Sequence, residues 1–212
     1  MPLAETVGWC GAAVGTATTL VQALRVWREG TGGVNATTWS LFTLMAAFWL
    51  CFGVAQRSPE IVIGTLAGLP MLVWLLTQLE ASERRAGLQR GVPAVLAAVW
   101  LPAALLGWNA GLLGIAALMA ATRLPQLLEL TRVRHPYGVS IWSWALGSTS
   151  LALWIGYYVG TGMRVAALAV AIALAANLSI VGLASYRRRT ARYLHPTFGA
   201  SRSALSLVAL RA

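Results

Sequence analysis

Thr19–Val54 reads TLVQALRVWREGTGGVNATTWSLFTLMAAFWLCFGV, and Arg123–Val159 reads RLPQLLELTRVRHPYGVSIWSWALGSTSLALWIGYYV. The two stretches are versions of one another. Gln22 aligns with Gln126, Gly33-Val34 with Gly138-Val139, Trp39 with Trp144 and Trp49 with Trp154, with one residue inserted in the basic loop between. Self-similarity of this length marks a structural unit used twice. In an apolar chain, duplicated helical bundles are the usual construction of a transporter, with the substrate site where the copies meet.

Outward from the repeat, composition sets the class. Of 212 residues, 58% are hydrophobic and 10% charged, more apolar surface than a soluble domain could bury. A membrane span needs about 20 apolar residues, and the segments 5–27, 34–56, 59–79, 92–108, 110–131, 139–160 and 164–186 are read as spans. The net charge of +10 could signal nucleic acid, but it is all arginine placed at span ends, so no nucleic-acid partner is expected. Arg25 and Arg28 follow the first span, Arg84, Arg85 and Arg90 the third, Arg132 and Arg134 the fifth, and Arg187, Arg188, Arg189 and Arg192 the seventh. The opposite loops carry only Arg57 and Arg164. Cytoplasmic loops collect positive charge, which places the N-terminus outside and the C-terminus inside.

Both flanks of 91–131 are basic and hence cytoplasmic, so two crossings lie between them. The expected fold is an all-α membrane protein of seven transmembrane helices in a 3+1+3 order: a first triple-helix repeat (5–79), a linker helix (92–108), a second triple-helix repeat (110–186) and a basic cytoplasmic tail (187–212). A three-helix unit inverts its own orientation, and one extra crossing restores parallel copies. The linker span reads as short and interrupted by Pro93 and Pro102, with a Gly107-Trp108-Asn109 turn after it. Gly11 and Gly15, Gly64 and Gly68, and Gly156 and Gly160 have the four-residue spacing that lets helix backbones approach. The first residues, with Glu5 and no Lys or Arg, do not read as a cleaved signal. Cys10 and Cys51 read as packing residues, and no His/Cys cluster has metal spacing, so neither a metal nor a cofactor is expected. The tail reads as docking on anionic lipid.

Polar residues at membrane depth carry the functional reading. In Thr122-Arg123-Leu124-Pro125-Gln126, Pro125 lacks the N–H that would bond the Ala121 carbonyl, so a bend is expected there. Pro125 and Gln126 are candidate hinge residues, with Gln22 their counterpart in the first copy. Arg123 could meet a substrate anion or, preferably, snorkel to the cytoplasmic surface. An indole suits a sugar, since its face stacks on C–H surfaces and its N–H donates a hydrogen bond. Asn177 in the seventh span must face a pocket or another helix, because an unpaired amide in the bilayer is costly.

The Leu-Pro-Gln-Leu run from Leu124, the basic loop after it, the Gly138-Val139-Ser140 opening of the next helix and Trp154-Ile155-Gly156-Tyr157 resemble the PQ-loop repeat. The layout resembles the sugar-facilitator branch of that family, the SWEET proteins, over roughly residues 5–186. Val21 stands where the motif of the first copy would have proline. The resemblance implies alternating access around a central pocket without an energising ion. It implies that Trp49 and Trp154 line this pocket. It also implies a partner asparagine on each third helix, at places that fall here on Thr65 and Val170, which are not asparagine. Trp49, Trp154, Thr65 and Asn177 are therefore the candidate substrate-binding residues.

Coupling follows from charge. The chain has no Asp, and its six Glu lie at or near span ends, whereas proton-coupled carriers hold a titratable group in the bilayer. The expectation is a uniporter of a small polar solute, a mono- or disaccharide first and an amino acid or other metabolite second. The alternative is a cargo or signalling receptor of the same fold, and a homo-oligomer is left open. No nucleophile–base set points to an enzyme. The alanine- and arginine-rich composition points to a bacterial plasma membrane.

Overall fold

Asn35 and Ser58 sit immediately before two apolar runs, and each caps a helix. The Asn35 side chain accepts from the Thr38 N–H at 3.0 Å, and Ser58 Oγ accepts from the Ile61 N–H at 3.3 Å with Pro59 at the first helical position. In the computed structural model, which describes residues 3–31, 34–124, 127–128, 131 and 141–194, these caps open α2 (Ala36–Ala55) and α3 (Pro59–Gln78). Before them runs α1 (Leu3–Glu29), and after them α4 (Ala81–Val95), a π-helical turn (Leu96–Trp100), α5 (Leu101–Leu106) and α6 (Trp108–Ala121). Beyond lie α7 (Ile141–Gly160) and α8 (Arg164–Leu194). No strand occurs among the described residues.

Among the described residues, five helices are long and apolar enough to cross a membrane: Leu3–Arg28, Ala36–Ala55, Pro59–Gln78, Ala81–Leu106 and Arg164–Arg187. The protein is therefore an integral membrane protein. Trp108–Ala121 is a shorter apolar helix. The 20-residue α7 has no charged side chain, but its tryptophans, tyrosines and serines lower its hydropathy.

Two expectations are corrected here. The linker span is not a short helix beginning at 92. The helical rod runs from Ala81 to Leu106, 26 residues, or roughly 39 Å at 1.5 Å per residue. Arg84, Arg85 and Arg90 thus stand on its first turns rather than in a loop. Arg84 reaches back to the carbonyls at the end of α3, Leu76 and Thr77, both at 3.5 Å, where a cation also suits the helix dipole. Nor does Pro102 interrupt the rod. Its missing N–H would have met the Ala98 carbonyl, and the ladder shifts one residue instead, the Leu101 N–H donating to Leu96 O. The rod absorbs the lost bond as a π turn, and Gly114 of α6 packs directly on the Ala98 carbonyl there. Helix α8 continues through Arg187 to Leu194, so the first part of the basic tail is helical.

The helices pack with the third of each group in the middle. Helix α3 contacts both α1 and α2, and α8 contacts both α6 and α7. The α4–α5 rod lies between, packed on α2 and on α6, while α1 packs along α7. Glycine makes the close crossings. A Cβ on Gly64 would stand 2.7 Å from Ala12 Cβ, one on Gly15 2.9 Å from Ser150 Oγ, and one on Gly160 2.8 Å from Ala4 Cβ. Gly87 does the same for α4 against the Ala36 carbonyl of α2, at 2.7 Å. Cys10 and Cys51, expected inside the packing, are free and exposed on the outer surface of the bundle.

The turns that lead into α3 and α8 are built alike. The Arg57 N–H bonds Val54 O and Ser58 N–H bonds Gly53 O; the Gly162 N–H bonds Val159 O and Met163 N–H bonds Tyr158 O. Both are Schellman ends, with Arg57 (φ 54°) and Gly162 (φ 78°) in the left-handed region. Gly107 (φ 88°) makes the turn between α5 and α6, as expected.

Candidate functional site

Trp49 lies on α2 and Trp154 on α7, each the fourteenth residue of a 20-residue helix. Their side chains converge on one cavity of about 270 Å³. Tyr158 stands between them, stacked on Trp49 (centroids 5.9 Å, planes 16° apart) and on Trp154 (5.6 Å, 23°). One face of each indole is thus covered by the phenol, a packing partner that periodicity alone did not reveal.

The rest of the lining is mostly apolar, with Phe42, Met45, Ile61, Leu72 and Leu151 among the larger side chains, and two helices add small and hydroxyl-bearing residues. Helix α1 contributes Ala12, Gly15, Thr16 and Thr19, and α3 contributes Gly64, Thr65 and Gly68. Two hydroxyls are committed to backbone: Thr19 Oγ1 donates to Gly15 O at 3.2 Å and Ser150 Oγ to Gly11 O at 3.0 Å. Thr16 and Thr65 have no hydrogen-bond partner among the described residues. Thr65 and Val170, the places that the resemblance implies for partners of the two tryptophans, both line the cavity.

Asn177 does not line it. It is 4% exposed and its Oδ1 accepts a very short hydrogen bond from Arg123 Nε. Arg123 does not snorkel either, which corrects the preferred expectation. The side chain is 5% exposed; Nη1 donates to Met119 O at 2.5 Å and contacts Thr122 Oγ1 at 3.4 Å. Its guanidinium carbon sits 5.8 Å from the centroid of the Phe42 ring, a cation–π contact. The physical reason is that three inward acceptors and an aromatic face hold Nε, Nη1 and the guanidinium plane inside the bundle. Phe42 and Met119 are lining residues, and Arg123 therefore stands directly behind the cavity wall. Gln22 is half-buried on α1. The hinge pair Pro125 and Gln126 lies outside the described residues.

Towards the other end of α7 is a cluster that charge counting missed. Ser58 Oγ and Tyr157 OH are 2.7 Å apart, and both hydroxyls donate to Glu60 Oε2, from Ser58 at 3.0 Å and from Tyr157 at 3.2 Å, or share the proton between them. Glu60 lies in the first turn of α3, a span end as expected, yet it is only 4% exposed. Tyr157 meets Trp154 edge to face at 5.6 Å, so the cluster abuts the aromatic wall. It joins the start of α3 to α7. The signal in sequence was Ser58-Pro59-Glu60 after a helix end, which reads as a cap and gives no hint of burial.

Two further aromatic contacts respect the alignment of the stretches. Trp39 packs with Ala23, Val26 and Leu75 between α1 and α3. Trp144 packs with Leu127, Ile180 and Ala184. No group of His, Cys, Asp or Glu that could hold a metal occurs among the described residues.

Comparison with family profiles, curated proteins and solved structures finds no match for this chain. The functional reading rests on its own residues.

Proposed function

We propose that the protein is an alternating-access facilitator of a small polar solute, a sugar first and an amino acid or other small metabolite second, with PQ-loop, SWEET-like architecture. The observation that carries this reading is the meeting of Trp49 and Trp154, which match in the two similar stretches, at one cavity. Membrane-embedded pockets where repeats meet are transport sites. Indole edges, the uncommitted hydroxyls of Thr16 and Thr65 and small α1 and α3 residues suit a solute with both C–H and O–H surface.

In this reading the five long spans, the short α6 and the charge-free α7 make seven crossings. The shared third-in-the-middle order of the two groups and the paired Schellman turns support two parallel units joined by the α4–α5 rod. Arginine placement orients the N-terminus outward, in a bacterial plasma membrane. The Ser58–Tyr157–Glu60 cluster would then close the outer end of the cavity, and its opening and closing would alternate access to the solute.

Uptake and counterflow in liposomes, across a panel of sugars and amino acids, test the proposal. Saturable counterflow of at least one solute is expected. Trp154→Ala lowers its affinity by about two- to tenfold, the value of an aromatic contact of 0.5–1.5 kcal/mol. Flux of a panel solute that is indifferent to removal of both tryptophans would sink the site assignment.

A further inference from the structure

Arg123 poses the sharpest chemical question in the molecule. A guanidinium keeps its charge in any protein environment, and a charge at membrane depth is tolerated only where it is paired or functional. Arg123 is 5% exposed, and no carboxylate forms an ion pair with it among the described residues. Its partners are the neutral Asn177 amide, the Met119 carbonyl, the Thr122 hydroxyl and the Phe42 face. These hold Nε and Nη1 and orient the fork, while Nη2 bonds none of the described residues. Dipoles and a ring lessen the desolvation of a cation but do not neutralise it.

The position says what completes the pair. Phe42 and Met119, the two residues against which the guanidinium rests, are themselves walls of the cavity. The Phe42 ring is thus shared between the guanidinium and the cavity. We infer that Arg123 is the counter-charge for a carboxylate on the transported solute, so that the substrate class is a small organic monoacid with a hydroxylated or apolar body. This rests on the transport reading above. A carboxylate is favoured over a phosphate ester because a phosphate brings nearly two charges at neutral pH, and one guanidinium matches one. A carboxylate also accepts charge-assisted N–H bonds, which Nη2 can donate while Nε and Nη1 stay held. Asn177 acts as a positioning residue, holding Nε so that Nη2 is the end presented.

The experiment pairs each acid with a neutral twin of similar size, with the full chain in liposomes: gluconate with glucose, lactate with lactamide, and inorganic phosphate alone. Wild-type protein is expected to take up one of the acids about tenfold to a hundredfold faster than its twin, the range for a hydrogen bond to a charged group. An inside-positive potential should speed acid uptake and leave the neutral twin unchanged. Arg123→Gln should bring acid uptake down to the level of the twin without altering the latter, and Arg123→Lys should keep part of the preference. Sedimentation or gel filtration in detergent separates loss of fold from loss of preference. The inference is overturned by equal or better uptake of the neutral twin in wild type, by preferred uptake of phosphate, or by an equal fall of both twins in Arg123→Gln, which is the signature of a mere helix cross-link. Loss of acid preference in Glu129→Gln to the extent seen in Arg123→Gln would also overturn it, by making the protein's own carboxylate the partner. Saturable glucose counterflow with no preferred uptake of any acid by the wild type would leave the facilitator reading standing without the acid, whereas no saturable flux of any solute would remove both.

Discussion

At the scale of single residues, Asn177 and Arg123 form one functional group rather than two. Neither side chain makes sense alone in an apolar bundle: the amide would lack a donor, and Nε–H an acceptor. Asn177→Leu therefore leaves a buried donor unsatisfied, at a cost of about 1–3 kcal/mol. The expected result is a lower unfolding temperature in detergent, with affinity for any neutral solute unchanged because Asn177 is not in the cavity wall. An unchanged unfolding temperature would mean that Arg123 finds another acceptor. What was legible at this scale was position along the chain: the places that the PQ-loop resemblance implies for partners of Trp49 and Trp154 fall on Thr65 and Val170, both lining residues. What was not legible was partnership. The bond between Arg123 and Asn177 spans 54 residues of chain, and that between Ser58 and Tyr157 spans 99, so no local pattern announces either. The length of the Arg123 side chain points to snorkelling, whereas its inward acceptor Asn177 lies too far along the chain for local sequence to show it.

At the scale of elements, small residues decide how close the helices come. Gly64 of α3 faces Ala12 of α1, where an added Cβ would be 2.7 Å from the alanine Cβ and 3.3 Å from its Cα. The backbone atom cannot swing aside as a long side chain would. Gly64→Val is expected to destabilise the bundle by about 1–3 kcal/mol through overpacking. Gly182→Ala is its control, since nothing lies within 4 Å of that position; there the gain in helix propensity is about 0.5–1 kcal/mol. Thermal unfolding of the two variants in detergent should move in opposite directions, and a shift of the same sign would contradict the α1–α3 crossing. Glycine spacing was readable in α1, α3 and α7 because those stretches were already known as spans. The equally spaced Gly87 and Gly91 of α4 were not, because Arg84, Arg85 and Arg90 made that stretch look like a loop. Arginine is a good helix former, and its charge marks where the water is, not where a helix stops. Pro102 misled in the same way. A proline deletes one hydrogen bond, and a π turn can absorb that loss without ending the rod.

At the scale of the whole molecule, orientation and energy coupling are the quantities to measure. Reporter fusions after residues 30 and 88 should report cytoplasm, and those near 57, 109 and 162 the outside, as arginine placement requires. A cytoplasmic report at 109 would mean that the α4–α5 rod does not cross, and the two halves would then face opposite ways. Coupling is the finer test, because the buried Glu60 adds something to it that span-end counting had set aside. Its carboxylate is held by two hydroxyls at the junction of α3 and α7, beside Trp154. Its partners are neutral hydroxyls, so the contact with Tyr157 opens by breaking a hydrogen bond rather than an ion pair. On this account transport runs in either direction down the gradient of the solute. With the membrane potential clamped, collapse of the proton gradient leaves the rate unchanged. Glu60→Gln keeps an acceptor for both hydroxyls, so it should alter the balance between outward-open and closed states, and hence the rate, by severalfold at most. It should not change the equilibrium distribution of solute. Accumulation against the gradient on an imposed pH step, abolished by Glu60→Gln, would show instead that the cluster exchanges a proton each cycle and that the protein is a symporter.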